Sequence, residues 1–327
     1  MATFAGCGRT GAEPQVVVYV AVDRGDAEPI LKRFERQSKI HVRAVYDSEA
    51  AKTTGLVARL LAERRHPRCD VFWNNELVQT LLLAEQGALD HYVPPGAGEL
   101  PEEFKDSSGL WTAVAQRSRV IVYNTKYVTA EEAPHSIFDL TRPEWRGKAA
   151  IANPQFGTTR AHVAALFAAL GPERARQWLE GLAENEIRIV DGNATVKNLV
   201  ARARPNASPV YVGLTDTDDV MSGLAEGKPI AMIYPDQDGL GTLSMPSTVA
   251  LIRGAPHLDN ARKLIDYLAG REAQAALTDS DSGYLPVRPD LAGLEAKPPV
   301  KRMQVAQQAW LEQLEPGSRW TNEHFHP

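Results

Sequence analysis

The sequence predicts an α/β protein of two units. Strand-like apolar runs alternate with amphipathic helical stretches, and that order implies parallel sheet with crossover helices. The alternation resumes after a long extended stretch near the middle of the chain. With 327 residues, 43% of them hydrophobic, and a prior of roughly 150 residues per domain, there is material for two cores.

Val16-Val17-Val18-Tyr19-Val20 is a continuous β-branched run, the pattern of a strand covered on both faces. A loop at Asp23 to Asp26 follows, then a helix opened by Pro29 with Ile30, Leu31 and Phe34 as its buried stripe. Ile40 to Val45 forms the next strand, and Asp47-Ser48 can cap a helix that buries Leu56, Leu60 and Leu61. Cys69 to Trp73 is a third strand, ending at Asn74-Asn75-Glu76. Trp111 to Tyr123 carries no turn signal and is long enough to cross between units. The second unit reads Ala149 to Ala152 as strand, Gly157-Thr158-Thr159 as a helix entry, Ile187 to Val190 as strand, and Asn193 opening another helix. Pro229 to Tyr234 and Ser247 to Arg253 are further strands; Leu258 to Leu268, Arg271 to Leu277 and Lys301 to Leu314 are helices. Asp236-Gln237-Asp238-Gly239 is not an EF-hand loop, because Leu240 and Ser247 stand where oxygen ligands belong.

One stretch draws attention to itself chemically. Val210 to Leu214 is apolar and runs straight into Asp216, Asp218 and Asp219, with no Lys or Arg before Lys228. Carboxylates titrating near about pH 4 are all charged at neutral pH, so this stretch needs water, a helix N-terminus or a cation. The end of a strand is also where open α/β sheets place ligands. An N-cap at Asp216 or Thr217 is the plainer alternative, and the two are compatible.

Net charge −5 and a pI near 5.9 give no basic excess, so nucleic acid is not an expected partner. No run approaches the ~18 apolar residues of a membrane span. Two cysteines allow neither a disulfide framework nor a CxxC metal site; Cys69 reads as a small strand-edge hydrophobe. Phe4-Ala5-Gly6-Cys7-Gly8 resembles the cleavage end of a bacterial lipoprotein signal, which makes Cys7 a lipidation candidate and residues 1–15 a tether. A nucleophile elbow, a phosphate loop and a His-Glu-x-x-His motif are all missing, which argues against an enzyme.

Several segments in order resemble the substrate-binding proteins of bacterial ABC importers, and within them the ferric-ion-binding branch. They are Val18-Tyr19, Glu49 to Leu56, Asp70-Val71-Phe72-Trp73, Arg119 to Thr125, Phe138-Asp139-Leu140, Pro143 to Lys148 and Tyr234 to Gln237, spanning Val16 to about Pro289. The resemblance implies the two-lobed type II, transferrin-like periplasmic-binding-protein fold with two crossover strands. It divides the chain into a first lobe of 16–114 plus 246–327 and a second of 115–245, crossing near Ala113 to Gln116 and Thr242 to Ser247. It implies a periplasmic or cell-surface, lipid-anchored monomer serving an inner-membrane ABC permease.

Ferric-binding members hold the metal with a His after the first strand, an acid after the third strand, and a tyrosine pair. Asp23 stands at the first position, Asn75 or Glu76 at the second, and Asp218-Asp219 at the pair. The implied metal ligands are therefore Asp23, Glu76, Asp216, Asp218 and Asp219, all oxygen donors suited to Fe³⁺ or another hard cation. A synergistic carbonate or phosphate would sit at Gly157, Thr158, Thr159 and Asn193, with Ser48, Lys52-Thr53-Thr54 and Asn75 reaching it from the first lobe. With the tyrosines replaced, a polyamine, a phosphonate or a thiamine-like solute is the alternative cargo.

Overall fold

The computed structural model describes residues 13–46, 53–278, 282–294 and 300–325. Cys7, Ser48 and Lys52 lie outside these. The first half runs β1 (Gln15–Val20), α1 (Arg24–Ser38), β2 (His41–Tyr46), α2 (Thr54–Ala62), β3 (Val71–Asn74), α3 (Leu77–Glu85) and β4 (Leu89–Asp90). The long strand β5 (Thr112–Asn124) leads to β6 (Ala149–Ala152), α4 (Gly157–Leu170), α5 (Pro172–Glu184) and β7 (Arg188–Val190). Then come α6 (Asn193–Ala201), β8 (Val212–Asp216), α7 (Thr217–Ala225) and β9 (Ile230–Ile233). β10 (Ser244–Ile252), α8 (Leu258–Ala269), α9 (Arg271–Thr278), α10 (Gln307–Glu312) and α11 (Leu314–His324) complete the chain.

The strands follow the order β2-β1-β3-β10-β5-β8-β6-β7, with β4 on β10 and β9 on β5. β1 pairs parallel with β2 and β3, and β6 parallel with β7 and β8. β5 joins the two sets: residues 112–118 pair antiparallel with β10, and residues 119–124 with β8 and β9. β1 is covered on both faces, as its unbroken apolar run requires. Val16, Val18 and Val20 pack with Ile30, Phe34 and Leu264, while Tyr19 packs with Phe72 and Leu60. In the second half, Val120 and Val122 meet Ala150, Val196, Val200 and Val220.

Three expectations change. The loop at Asp23 to Asp26 is already helix: Asp23 is the N-cap of α1, its carbonyl accepting from Asp26 N and Ala27 N at 3.1 and 2.9 Å. Pro29 therefore sits inside α1 rather than opening it. The helix expected over Lys301 to Leu314 starts only at Gln307, because Lys301 and Met303 exchange backbone hydrogen bonds with Thr242. The chain end, assigned with 246–327 to the first unit, packs on the second: α11 lies on α4, and α10 touches both α3 and α4. Trp310 Nε1 donates to Ala161 O at 2.7 Å there.

The loop after α9 returns to the centre at Gly283, whose φ of +70° is the left-handed region that favours glycine. A Cβ at this position would stand 2.5 Å from the Thr217 backbone at the start of α7. Gly283→Ala is expected to lose at least about 1–2 kcal/mol from the backbone conformation, with the collision added, as read from urea melts. A loss under about 0.5 kcal/mol, the range of a neutral surface change, would mean that the loop and α7 do not touch in solution.

Candidate functional site

Residues two apart on a strand share a face, so Arg117 and Arg119 of β5 project together. The register sets Arg119 directly opposite Asp216, with Nη1 2.7 Å from the carboxylate. Arg117 Nη1 lies 2.5 Å from Asp218 and 3.3 Å from Asp216. All four side chains are buried. The Thr158 hydroxyl donates to Asp216 at 2.6 Å and the Asn193 amide at 3.0 Å. Burial pushes the Asp216 carboxyl up, but Arg117 and Arg119 outweigh it and hold the group below the usual range. Burial likewise lowers Arg117, and Asp216 and Asp218 more than reverse it. The relief that the acidic stretch needs thus comes from residues 97 and 101 positions away.

Arg117 also faces the first half. With its amide oxygen toward the guanidinium, Asn75 accepts from Arg117 Nη1 at 2.9 Å and from the Tyr284 hydroxyl at 2.8 Å. Tyr284 is fully buried; burial first, then the charge of Asp218, raises its hydroxyl well above the ordinary value. The charge of Asp23 acts on both Arg117 and Tyr284.

Beside this cluster is a pocket of about 30 Å³, lined by Thr53 of the first half and by Asn153, Phe156, Gly157, Thr158, Asp191, Gly192, Asn193 and Asp219 of the second. Arg117 lines it as well. It holds about two waters, so a larger solute enters only if the walls part. Three helices begin here, α2 after Thr53, α4 after Phe156 and α6 after Gly192, and none of these N-cap residues hydrogen-bonds its helix with a side chain. Helix N-termini carry partial positive charge and donor N–H groups, an arrangement suited to oxyanions. Gly157, at φ +52°, has nothing within 4 Å of where a Cβ would stand, so the backbone at the start of α4 is approachable.

Of the expected site residues, the structure brings Asn75, Gly157, Thr158, Asn193, Asp216, Asp218 and Asp219 together around Arg117, with Asp23 near them. Asp216 is saturated by its four partners, and Asp219 accepts from the Thr215 hydroxyl at 3.1 Å while lining the pocket. Thr159 points to Arg119 Nη2, 3.4 Å away, and not into the pocket. Glu76 caps α3, its carboxylate accepting from Gln79 N at 2.7 Å. Thr53, expected on the anion side, lines the pocket, whereas Arg117, Arg119 and Tyr284 were not anticipated. The arginines did leave a signal: they are the only charges in the 13 residues of β5, two apart on one face.

The profile of the family described as bacterial extracellular solute-binding protein matches residues 70–311. "Iron uptake protein A1" of Synechocystis sp. is 26% identical over 295 residues, covering 87% of this chain and 78% of that protein. Iron-bound HitA from Pseudomonas aeruginosa superposes with TM-score 0.80 at 22% identity, covering 94% of this chain and 98% of that one. AfuA from Actinobacillus pleuropneumoniae, solved with fructose-6-phosphate, superposes with TM-score 0.81 at 21% identity, covering 95% and 99%. The two-lobed α/β fold expected from the sequence is the fold of these structures.

Burial raises the Glu76 carboxyl from an ordinary 4.5 to about 7. Between those values the unfolded chain releases a proton that the folded chain keeps, so rising pH erodes stability across that window and no further above it. Glu76→Gln removes this dependence. Its stability relative to the parent should grow by about 3 kcal/mol between pH 4.5 and 8, read from urea melts at the two pH values; a constant difference would place the carboxyl in water.

Proposed function

The chain belongs to the bacterial extracellular solute-binding proteins, a family of binding proteins and not of enzymes, and we propose that it captures a small oxyanion-bearing solute for an inner-membrane ABC permease. The observation that carries this reading is the convergence of three N-termini without side-chain caps, together with Arg117, on one pocket. A phosphate, phosphonate or carboxylate would lie against the starts of α4 and α6, with α2 closing from the first half and Asp219 on the pocket wall facing a hydroxyl or amine of the solute. The fructose-6-phosphate in AfuA is a solute of this class. Residues 16–114 with 246–294, and 115–245 with α10 and α11 riding on α4, act as the two lobes of a monomer, parting at β5 and β10 to admit the solute.

A ferric ion carried with carbonate, phosphate or a similar anion is the second reading. It is favoured by the iron-related names of the relatives and by the oxygens of Asp216, Asp218 and Asp219, which lie within 4.8 Å of one another. Asp219, which lines the pocket, and Asp23 would then be the protein ligands, while Asp216 stays on its arginines and Glu76 on α3.

Phe156→Asp separates the readings. It supplies α4 with the cap that Phe156 does not, so thermal stability should hold or rise by about 0.5–2 kcal/mol. It also sets a carboxylate at the pocket mouth, so affinity for phosphate, an aminoalkylphosphonate or a sugar phosphate should fall at least about tenfold, or 1.4 kcal/mol, by titration calorimetry. An affinity that rises, or a parent protein that takes up ferric ion but no oxyanion, would sink the oxyanion reading.

A further inference from the structure

We propose that Arg117 is the specificity-determining residue of the pocket: its guanidinium is held on Asp216 and Asp218 of the Asp216, Asp218 and Asp219 cluster, takes the place of a cation there, and makes the site refuse bare metal ions. The three carboxylates bring one oxygen each within 4.8 Å of the others, and the donor set is all oxygen, as hard cations require. Arg117 Nη1 contacts two of the three, at 2.5 Å on Asp218 and 3.3 Å on Asp216. The two arginines divide the work. Arg119, fully buried opposite Asp216, neutralises a charge inside the second half and does not line the pocket. Arg117 does line it, and it is anchored from the first half by Asn75.

Charge and geometry both follow from this placement. Among Asp216, Asp218, Asp219, Arg117 and Arg119 the formal charges sum to one negative, and Asp191 adds another on the pocket wall; without Arg117 the same groups would carry one more. A guanidinium keeps its proton at any physiological pH, so the block is permanent. The same group lines the pocket, where a guanidinium suits an oxyanion. One substitution thus separates a cation-accepting cluster from an anion-accepting one.

The inference concerns the pocket of the proposed function, but its test reads metal binding and stands apart from anion affinity. Calcium and manganese chlorides are titrated by equilibrium dialysis and thermal melting into four proteins: the parent, Arg117→Lys, Arg117→Gln and the double variant Arg117→Gln/Asp218→Asn. The parent and Arg117→Lys should take up no ion at millimolar concentration. Arg117→Gln should gain one ion per chain, at least roughly a hundredfold more tightly than the parent, with a melting temperature that climbs as the ion is added. The double variant loses both partners and should fold without the ion and gain none. If Arg117→Gln does not fold in ion-free buffer, refolding on addition of the ion supports the proposal, and failure to refold at millimolar ion overturns it. It is also overturned if folded Arg117→Gln gains nothing, if the double variant gains as much, or if the parent binds an ion that Asp219→Asn abolishes. A parallel phosphate titration of the parent reports on the oxyanion reading by itself.

Discussion

The ion pair between Arg119 and Asp216 is the interaction on which the rest of the site depends. Both side chains are completely removed from water, and a buried charge without its partner costs several kcal/mol. The pairing therefore constrains the register of β5 against β8, since a slip by one residue would turn Arg119 to the other face. Thr158 and Asn193 add hydrogen bonds to the same carboxylate, and each stands in the first turn of a helix. One buried carboxylate thus gathers β5, β8, α4 and α6 at a single point, and the two helices it gathers are those whose N-termini border the pocket.

Arg117 extends that logic across the molecule. It comes from the part of β5 that pairs with β10, yet its strongest contact is Asp218 at the start of α7. On its other side stand Asn75 and Tyr284 of the first half. Any motion that parts the halves must strain or exchange contacts of this guanidinium.

The C-terminal helices hold the other side of α4. Arg160 in its first turn bonds Glu315 and Ser318 of α11 at 2.6 Å each, and Gln155 in the preceding loop reaches Thr321 at 2.6 Å. The helix start that borders the pocket is therefore braced from behind. α10 touches α3 as well as α4, so this brace spans both halves.

The α/β class, the strand and helix order, and most of the residues that gather at the centre were legible in the sequence, because apolar periodicity and helix entries are local signals. The continuous run at β1, the entries at Gly157 and Asn193, and the acids after β8 all lie in the structure within a residue or two of where those signals put them. The start of α1 at Asp23 rests on that residue's own carbonyl, a local cap that the weight given to Pro29 obscured, whereas the path of 301–306 was not legible, since the backbone of Thr242 decides it. What the acids do was also beyond sequence. Alone, Asp216, Asp218 and Asp219 look like a charge in search of a cation, and the guanidinia that answer them come from about a hundred residues upstream. Charge balance depends on distance in space, which only the pairing of β5 with β8 supplies.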